Sequence, residues 1–233
     1  MIEYIPILTS FFSAYFFVVI MKHYRSRPKP YLLWWTLGVL TFGFGTMTES
    51  INVLMGWSEV NFRLWYISGA LLGGFPLAQG SVYLLMGEKF SKISTVVSVT
   101  IIVVGSCCVL LSPIHLPVDF DFKLTGKVLE WQWVRYFSPL INLYSFIFLV
   151  GGAVYSAIKY ARQHDKEKRF IGNIYIAIGA LLPGIGGSFT RAGYVNVLFV
   201  TELIGLILIF AGYTIIKNDR SISVHSPQIK TVI

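Results

Sequence analysis

Charge is what this 233-residue chain has least of: Asp, Glu, Lys and Arg make up 13% of it, where an ordinary soluble domain has about 25%. Cysteine is nearly missing. The two it has, Cys107 and Cys108, are neighbours in an apolar run, which excludes a disulfide framework and leaves packing as their role. The four histidines, His23, His115, His164 and His225, all fall in connections or the tail. No bis-histidine haem, His/Asp zinc hydrolase or Ser/His/Asp triad can therefore be assembled between the apolar runs. The spacing of His115, Asp119 and Asp121 is too loose to mark a metal site, and we expect neither metal nor cofactor. No internal repeat occurs, so the inverted-repeat signature of many transporters is missing. The opening residues MIEYIPILTS lack a basic stretch, and no small-residue cleavage site follows, which marks a retained helix rather than a signal peptide.

What is present is hydrophobic: 55% of the residues, with a mean hydropathy of +0.67. A membrane of roughly 30 Å is crossed by about 20 apolar residues at 1.5 Å each. Runs of that length occur at about 4–21, 31–55, 64–86, 93–111, 136–160, 170–189 and 194–216. The sequence thus predicts an all-α, polytopic membrane protein: one domain over residues 1–217, a bundle of seven transmembrane helices, then a short tail over 218–233. The last run reads ELIGLILIFAGY at its middle, without a lysine, so retinal cannot be held there as a Schiff base.

All but five of the 19 Lys and Arg fall in the connections after the first, third, fifth and seventh runs or in the tail; the five are Arg63, Lys123, Lys127, Arg135 and Arg191. Basic residues gather on the cytoplasmic side, which puts the N-terminus outside and the C-terminus inside. The net charge of +8 then reports orientation and contact with anionic membrane lipid, with no nucleic acid implied. We expect the protein in the plasma membrane of a bacterium or archaeon. The one long connection, from Ser112 to Arg135, carries Trp131 and Trp133, which suit an interfacial aromatic belt or a lid over an outward-facing cavity.

Small residues and prolines divide the helices. Gly69 and Gly73 form a GxxxG face for close packing, within the chain, between copies of it, or onto another membrane protein. Pro76 is expected to kink the third helix, and Pro183, followed by Gly184, Gly186 and Gly187, to loosen or end the sixth.

Four charges share the outer level of this scheme. Glu49 lies seven residues below the outer end of the second run, about 10 Å deep. Glu202 lies at a similar depth in the last run, while Arg63 opens the third and Arg191 closes the sixth. Charges at such depth are costly unless paired, so Glu49 is expected to pair with Arg63 and Glu202 with Arg191, or each glutamate to be neutral. Asn142, Trp65, Tyr66, Phe75 and Tyr194 complete the candidate ligand site as its polar and aromatic walls.

With Trp34 and Trp35 opening the second run, an acid at its outer end, and Trp65 and Tyr66 opening the third, the layout resembles the seven-helix sensing regions that precede some bacterial histidine kinases. That resemblance implies a sensor whose output passes through a partner. The set Gly45, Glu49, Gly56, Phe62, Tyr66, Gly69 and Pro76 is also similar to membrane carotenoid cyclases and hydratases, without their paired-acid motif. Neither likeness assigns the chain to a family.

The leading expectation is a non-enzymatic receptor-like or sensor-like module holding a hydrophobic or amphipathic small molecule in an outward-facing pocket. Alternatives are a small transporter or proton-coupled channel using Glu49 and Glu202, a lipid or isoprenoid enzyme, and a scaffold subunit of a membrane complex. Orientation is checked with Cys107→Ser and Cys108→Ser as background. In intact cells a membrane-impermeant maleimide should label Ile2→Cys but not Lys217→Cys, and the reverse pattern would contradict the predicted topology.

Overall fold

The computed structural model describes residues 2–116, 123–163, 166–191 and 193–219, without the Arg191 side chain. Asp119, Asp121, His164, His225 and nearly all of the 218–233 tail lie outside the described residues.

Each helix starts and stops where its residues dictate. A single turn at Ile2–Tyr4 leads into α1 (Ile5–Ser26), with Pro6 in the first turn, where a missing N–H costs nothing. The next helix, α2 (Pro30–Met55), opens on Pro30 and ends at Gly56, whose φ of 82° favours glycine. In α3 (Glu59–Trp65) the Ser58 hydroxyl accepts the Asn61 N–H and Glu59 sits in the positive first turn. A wider, π-helical stretch follows at Tyr66–Leu72, and the chain then turns at Gly73, with φ 37°. Helix α4 (Phe75–Leu85) restarts with Pro76 in its first turn.

The third predicted helix is therefore corrected. It begins earlier than residue 64, at Glu59, and is broken rather than kinked. Pro76 offers no N–H, and inside a continuing helix its ring would crowd the carbonyl of Leu72, so it initiates a helix instead. Gly73 supplies the turn that makes this possible.

Helix α5 (Glu88–Leu111) is unbroken. A 3-10 turn at Gln132–Tyr136, α6 (Phe137–Ser145), a π-helical turn at Phe146–Val150 and α7 (Gly151–Ala161) form one continuous rod. Helix α8 (Glu167–Arg191) runs through Pro183, which corrects the expectation that it loosens or ends there. Helix α9 (Val195–Lys217) is the last helix among the described residues.

Five stretches are long and apolar enough to cross a membrane: Ile2–Ser26, Glu88–Leu111, Gln132–Ala161, Glu167–Thr190 and Val195–Lys217. The remaining two are α2, diluted by Thr, Ser, Gly and Glu49, and the broken α3–α4 stretch. Among the described residues there is no strand, only an isolated antiparallel bridge between Ile114 and Leu129. The bundle is apolar outside: Phe11, Val96, Leu111 and Ile158 are exposed along its length, while Thr9, Ser13, Thr36, Thr46 and Thr48 are buried. That inversion suits lipid and would aggregate in water.

Packing between helices relies on small residues. Ser10 of α1 bonds Thr46 and Ser50 of α2, and the Ser13 hydroxyl donates to the Val39 carbonyl at 3.0 Å. Gly45 of α2 faces Gly69 of the π-helical stretch, so Gly69 is used within the chain. The most extensive contact joins α8 and α9. Gly172, Gly179 and Gly186, spaced by seven along α8, meet Gly212, Gly205 and Leu198, spaced by seven along the antiparallel α9. A Cβ added at Gly179 would lie 2.6 Å from the Gly205 carbonyl oxygen and 2.9 Å from the Ile209 nitrogen. Pro183 deprives the Gly179 carbonyl of its usual N–H partner, and the Gly205 Cα faces that carbonyl, a weak C–H···O contact that backbone proximity allows.

Gly179→Ala is expected to destabilise the purified protein by about 1–3 kcal/mol, seen as a lower midpoint of thermal unfolding in mild detergent. Gly184→Ala and Gly187→Ala, whose added Cβ meets nothing within 4 Å, should hold or slightly raise the midpoint, since Ala favours a helix interior over Gly by about 0.5–1 kcal/mol.

Candidate functional site

The end of the bundle that carries the α5–α6 connection is capped by that connection. Leu124, Val128, Leu129 and Val134 are buried against Phe62, Trp65, Tyr66, Leu71 and Val109. The cap is held by backbone bonds, His115 N–H to the Val128 carbonyl at 2.8 Å and Glu130 N–H to the Pro113 carbonyl at 3.0 Å. Ser112 Oγ accepts the Trp131 N–H at 3.1 Å. Trp131 and Trp133 stack on each other, with centroids 6.1 Å apart, and stay at the surface. Leu124, Val128, Leu129 and Val134 do the covering, while Trp131 and Trp133 are exposed.

Beneath the cap is a cavity of about 210 Å³. Its inner wall holds Glu49 and Asn52 of α2 and Trp65 of α3; Val53, Leu124, Leu198 and Phe199 give it apolar sides. Glu3, Lys123 and Asn196 stand at its exposed rim. Glu49 is 3% exposed, and its Oε1 accepts the Trp65 indole N–H at 3.1 Å. Oε2 is buried and receives no N–H or O–H among the described residues. The Glu202 carboxyl of α9, one turn beyond Leu198, comes within hydrogen-bonding reach of the Glu49 carboxyl. Two carboxyl groups in contact carry no donor between them unless a proton or a cation is present.

This geometry brings together three of the residues marked in the sequence, Glu49, Trp65 and Glu202, and disperses the others. Arg63 does not pair with Glu49. Its Nε and Nη2 bond Glu59 Oε1 at 3.0 and 2.6 Å, and its Nη1 and Nη2 donate to the carbonyls of Val109, Leu110 and Ser112. A guanidinium on the last carbonyls of α5 satisfies groups that the helix leaves open and meets the negative end of its dipole. Starting α3 at Glu59 makes the Glu59–Arg63 pair a one-turn neighbour, and that pair outcompetes the distant Glu49. Tyr66 is buried under Gly126 of the cap, outside the cavity. Phe75 packs with Ile102 and Ile141 deeper in the bundle. Asn142 donates to Ser138 Oγ at 3.4 Å and borders Gly73. Tyr194 is exposed beside Phe189. The Arg191 side chain lies outside the described residues.

No protein-family model, curated protein or solved structure matches the chain. Among the described residues no group of three or more His, Cys, Asp or Glu is placed to hold a metal ion.

A second polar centre escaped the sequence reading. Gln79 of α4 is fully buried; its Nε2 donates to the Ser91 carbonyl, Ser94 Oγ and Thr95 Oγ1 of α5 at 2.8–3.2 Å, and its Oε1 accepts the Tyr144 hydroxyl at 2.6 Å. The available signal was plain: Gln79 is the one glutamine inside the apolar runs. All its groups are used within the protein, so it ties α4, α5 and α6 together and offers nothing to a ligand.

The Arg63 clamp gives a direct stability test. Arg63→Ala strips three carbonyls of a charged donor, an effect of about 1.5–3 kcal/mol, and should lower the unfolding midpoint clearly. Lys92→Ala, which breaks an exposed pair with Glu88, should leave it unchanged.

Proposed function

We propose that this is an integral membrane protein in which all seven helical stretches cross the bilayer, with the capped end outside, and that it holds a small amphipathic molecule in the cavity beneath the cap. In this reading the protein is a receptor-like or sensor-like module of a bacterial or archaeal plasma membrane. The distribution of Lys and Arg supports the orientation, since the majority lie at the end opposite the cap. The apolar exterior supports burial in lipid along the whole length.

The observation that carries the ligand is the inner wall of the cavity. Glu49 presents a buried carboxyl oxygen to a space walled by Asn52, Trp65, Leu124, Leu198 and Phe199, with Glu3, Lys123 and Asn196 at its rim. Polar groups set into a wall that is half apolar are the pattern of a site for an amphipathic small molecule. The volume, about 210 Å³, falls below the roughly 300–1,000 Å³ that drug-sized ligands occupy, so the occupant is small.

A thermal-unfolding screen of the purified protein against small metabolites and short lipids tests the proposal. A subset should raise the midpoint, and Val53→Trp, which fills the cavity from α2, should abolish those shifts. No shift across the library, or shifts that survive Val53→Trp, would overturn the reading.

A further inference from the structure

The carboxyl end of the cavity specifies more than size. Glu49 lines the cavity from α2, and the Glu202 carboxyl of α9 meets it from behind the lining; apart from a proton shared with Glu202, no described side chain donates to Glu49 Oε2. Trp65 satisfies one oxygen of Glu49 and is oriented by it, so the indole forms a fixed wall beside the acid. Arg63 is committed to Glu59 and to the end of α5, and Lys123 stands at the exposed rim of the cavity rather than at its inner wall. With the cavity empty a proton between the two carboxyls satisfies them; with it filled, a cation at Glu49 Oε2 takes that place.

A metal ion fits this site poorly. The cavity is far larger than an ion, six of its eleven lining residues are apolar or aromatic (Val53, Trp65, Leu124, Val195, Leu198 and Phe199), Glu3 stands at the exposed rim, and among the described residues no group of three His, Cys, Asp or Glu is placed to complete a coordination shell. An organic ammonium answers every feature. Its three N–H groups suit two carboxyls, its charge is compensated where burial would otherwise be costly, and its methylene or aromatic body lies on the apolar wall.

Resting on the reading of the cavity as a ligand site, we propose that its ligand is a small primary amine in its ammonium form, with the nitrogen on Glu49 Oε2, where Glu202 meets that carboxyl, and an apolar body along Trp65, Leu198 and Phe199. The bond set is wholly noncovalent. Neutral and anionic molecules of the same shape enter the apolar part but leave the acid pair unmet.

The test compares three probes of matched shape, 2-phenylethylamine, 2-phenylethanol and 3-phenylpropanoate, by thermal unfolding and calorimetry on the full chain in lipid nanodiscs. The amine should bind saturably and about tenfold or more tightly than the alcohol, the gap a single charge-assisted contact can produce. The acid should bind least. Glu202→Gln and, separately, Glu49→Gln should each erase the amine's advantage while the alcohol still binds; if Glu49→Gln does not fold, Glu202→Gln decides alone. Equal binding of amine and alcohol overturns the ammonium site and leaves the pocket standing. Saturable stabilisation by sodium or calcium ions with none by the amine also overturns it, as does an amine preference untouched by both glutamine variants. Binding of none of the three, with other small molecules still displaced by Val53→Trp, shows a pocket of different chemistry; binding of nothing at all removes the pocket with it.

Discussion

In an apolar surrounding every buried polar group has to find its partner inside the protein, because neither lipid nor packed side chains can replace water. This one constraint orders the structure. It places hydroxyls of Ser10, Thr46 and Ser50 against one another between α1 and α2. It saturates Gln79 with partners from α5 and α6, and it turns Arg63 onto the open carbonyls at the end of α5. Where the rule is met, the polar residue is a fastening. At Glu49 Oε2 no other side chain among the described residues donates, only Glu202 can share a proton with it, and a cavity opens beside it.

The site depends on how the surrounding helices are made to approach. The seven-residue glycine spacing brings α8 and α9 to backbone contact, which fixes the register of α9 and so the height of Leu198, Phe199 and Glu202. The break at Gly73 lets the third stretch change direction below Trp65, so that α3 faces the cap while α4 packs on α2. The cap then lays Leu124 over the opening without filling it. Cavity, acid pair and indole are thus products of packing elsewhere, and none rests on a loop residue alone.

Much of this was legible in the sequence. The five membrane-length helices follow from unbroken apolar runs, and α2 ends where it does because Pro30 and Gly56 punctuate it in opposite senses. The shared level of Glu49 and Glu202 followed from counting residues inward from helix ends. The choice of partner did not, because level says nothing about azimuth around the bundle. Charge complementarity suggested Arg63 for Glu49, yet the one-turn spacing of Glu59 and Arg63 was the stronger signal, visible once α3 is started at Ser58. Pro76 and Pro183 illustrate the same limit. Each is a proline in an apolar run; one starts a helix after Gly73 and the other is absorbed into α8, where Gly205 packs against its ring, and only the packed neighbours distinguish the two.

The measurement that bears most directly on the central claim is a density map of the protein in lipid nanodiscs with 2-phenylethylamine present. The account predicts non-protein density in the space bounded by Glu49, Trp65 and Phe199, with its polar end toward Glu202. A dry, empty cavity with the two carboxyl groups closed on each other, or density found only in the surrounding lipid, would contradict it.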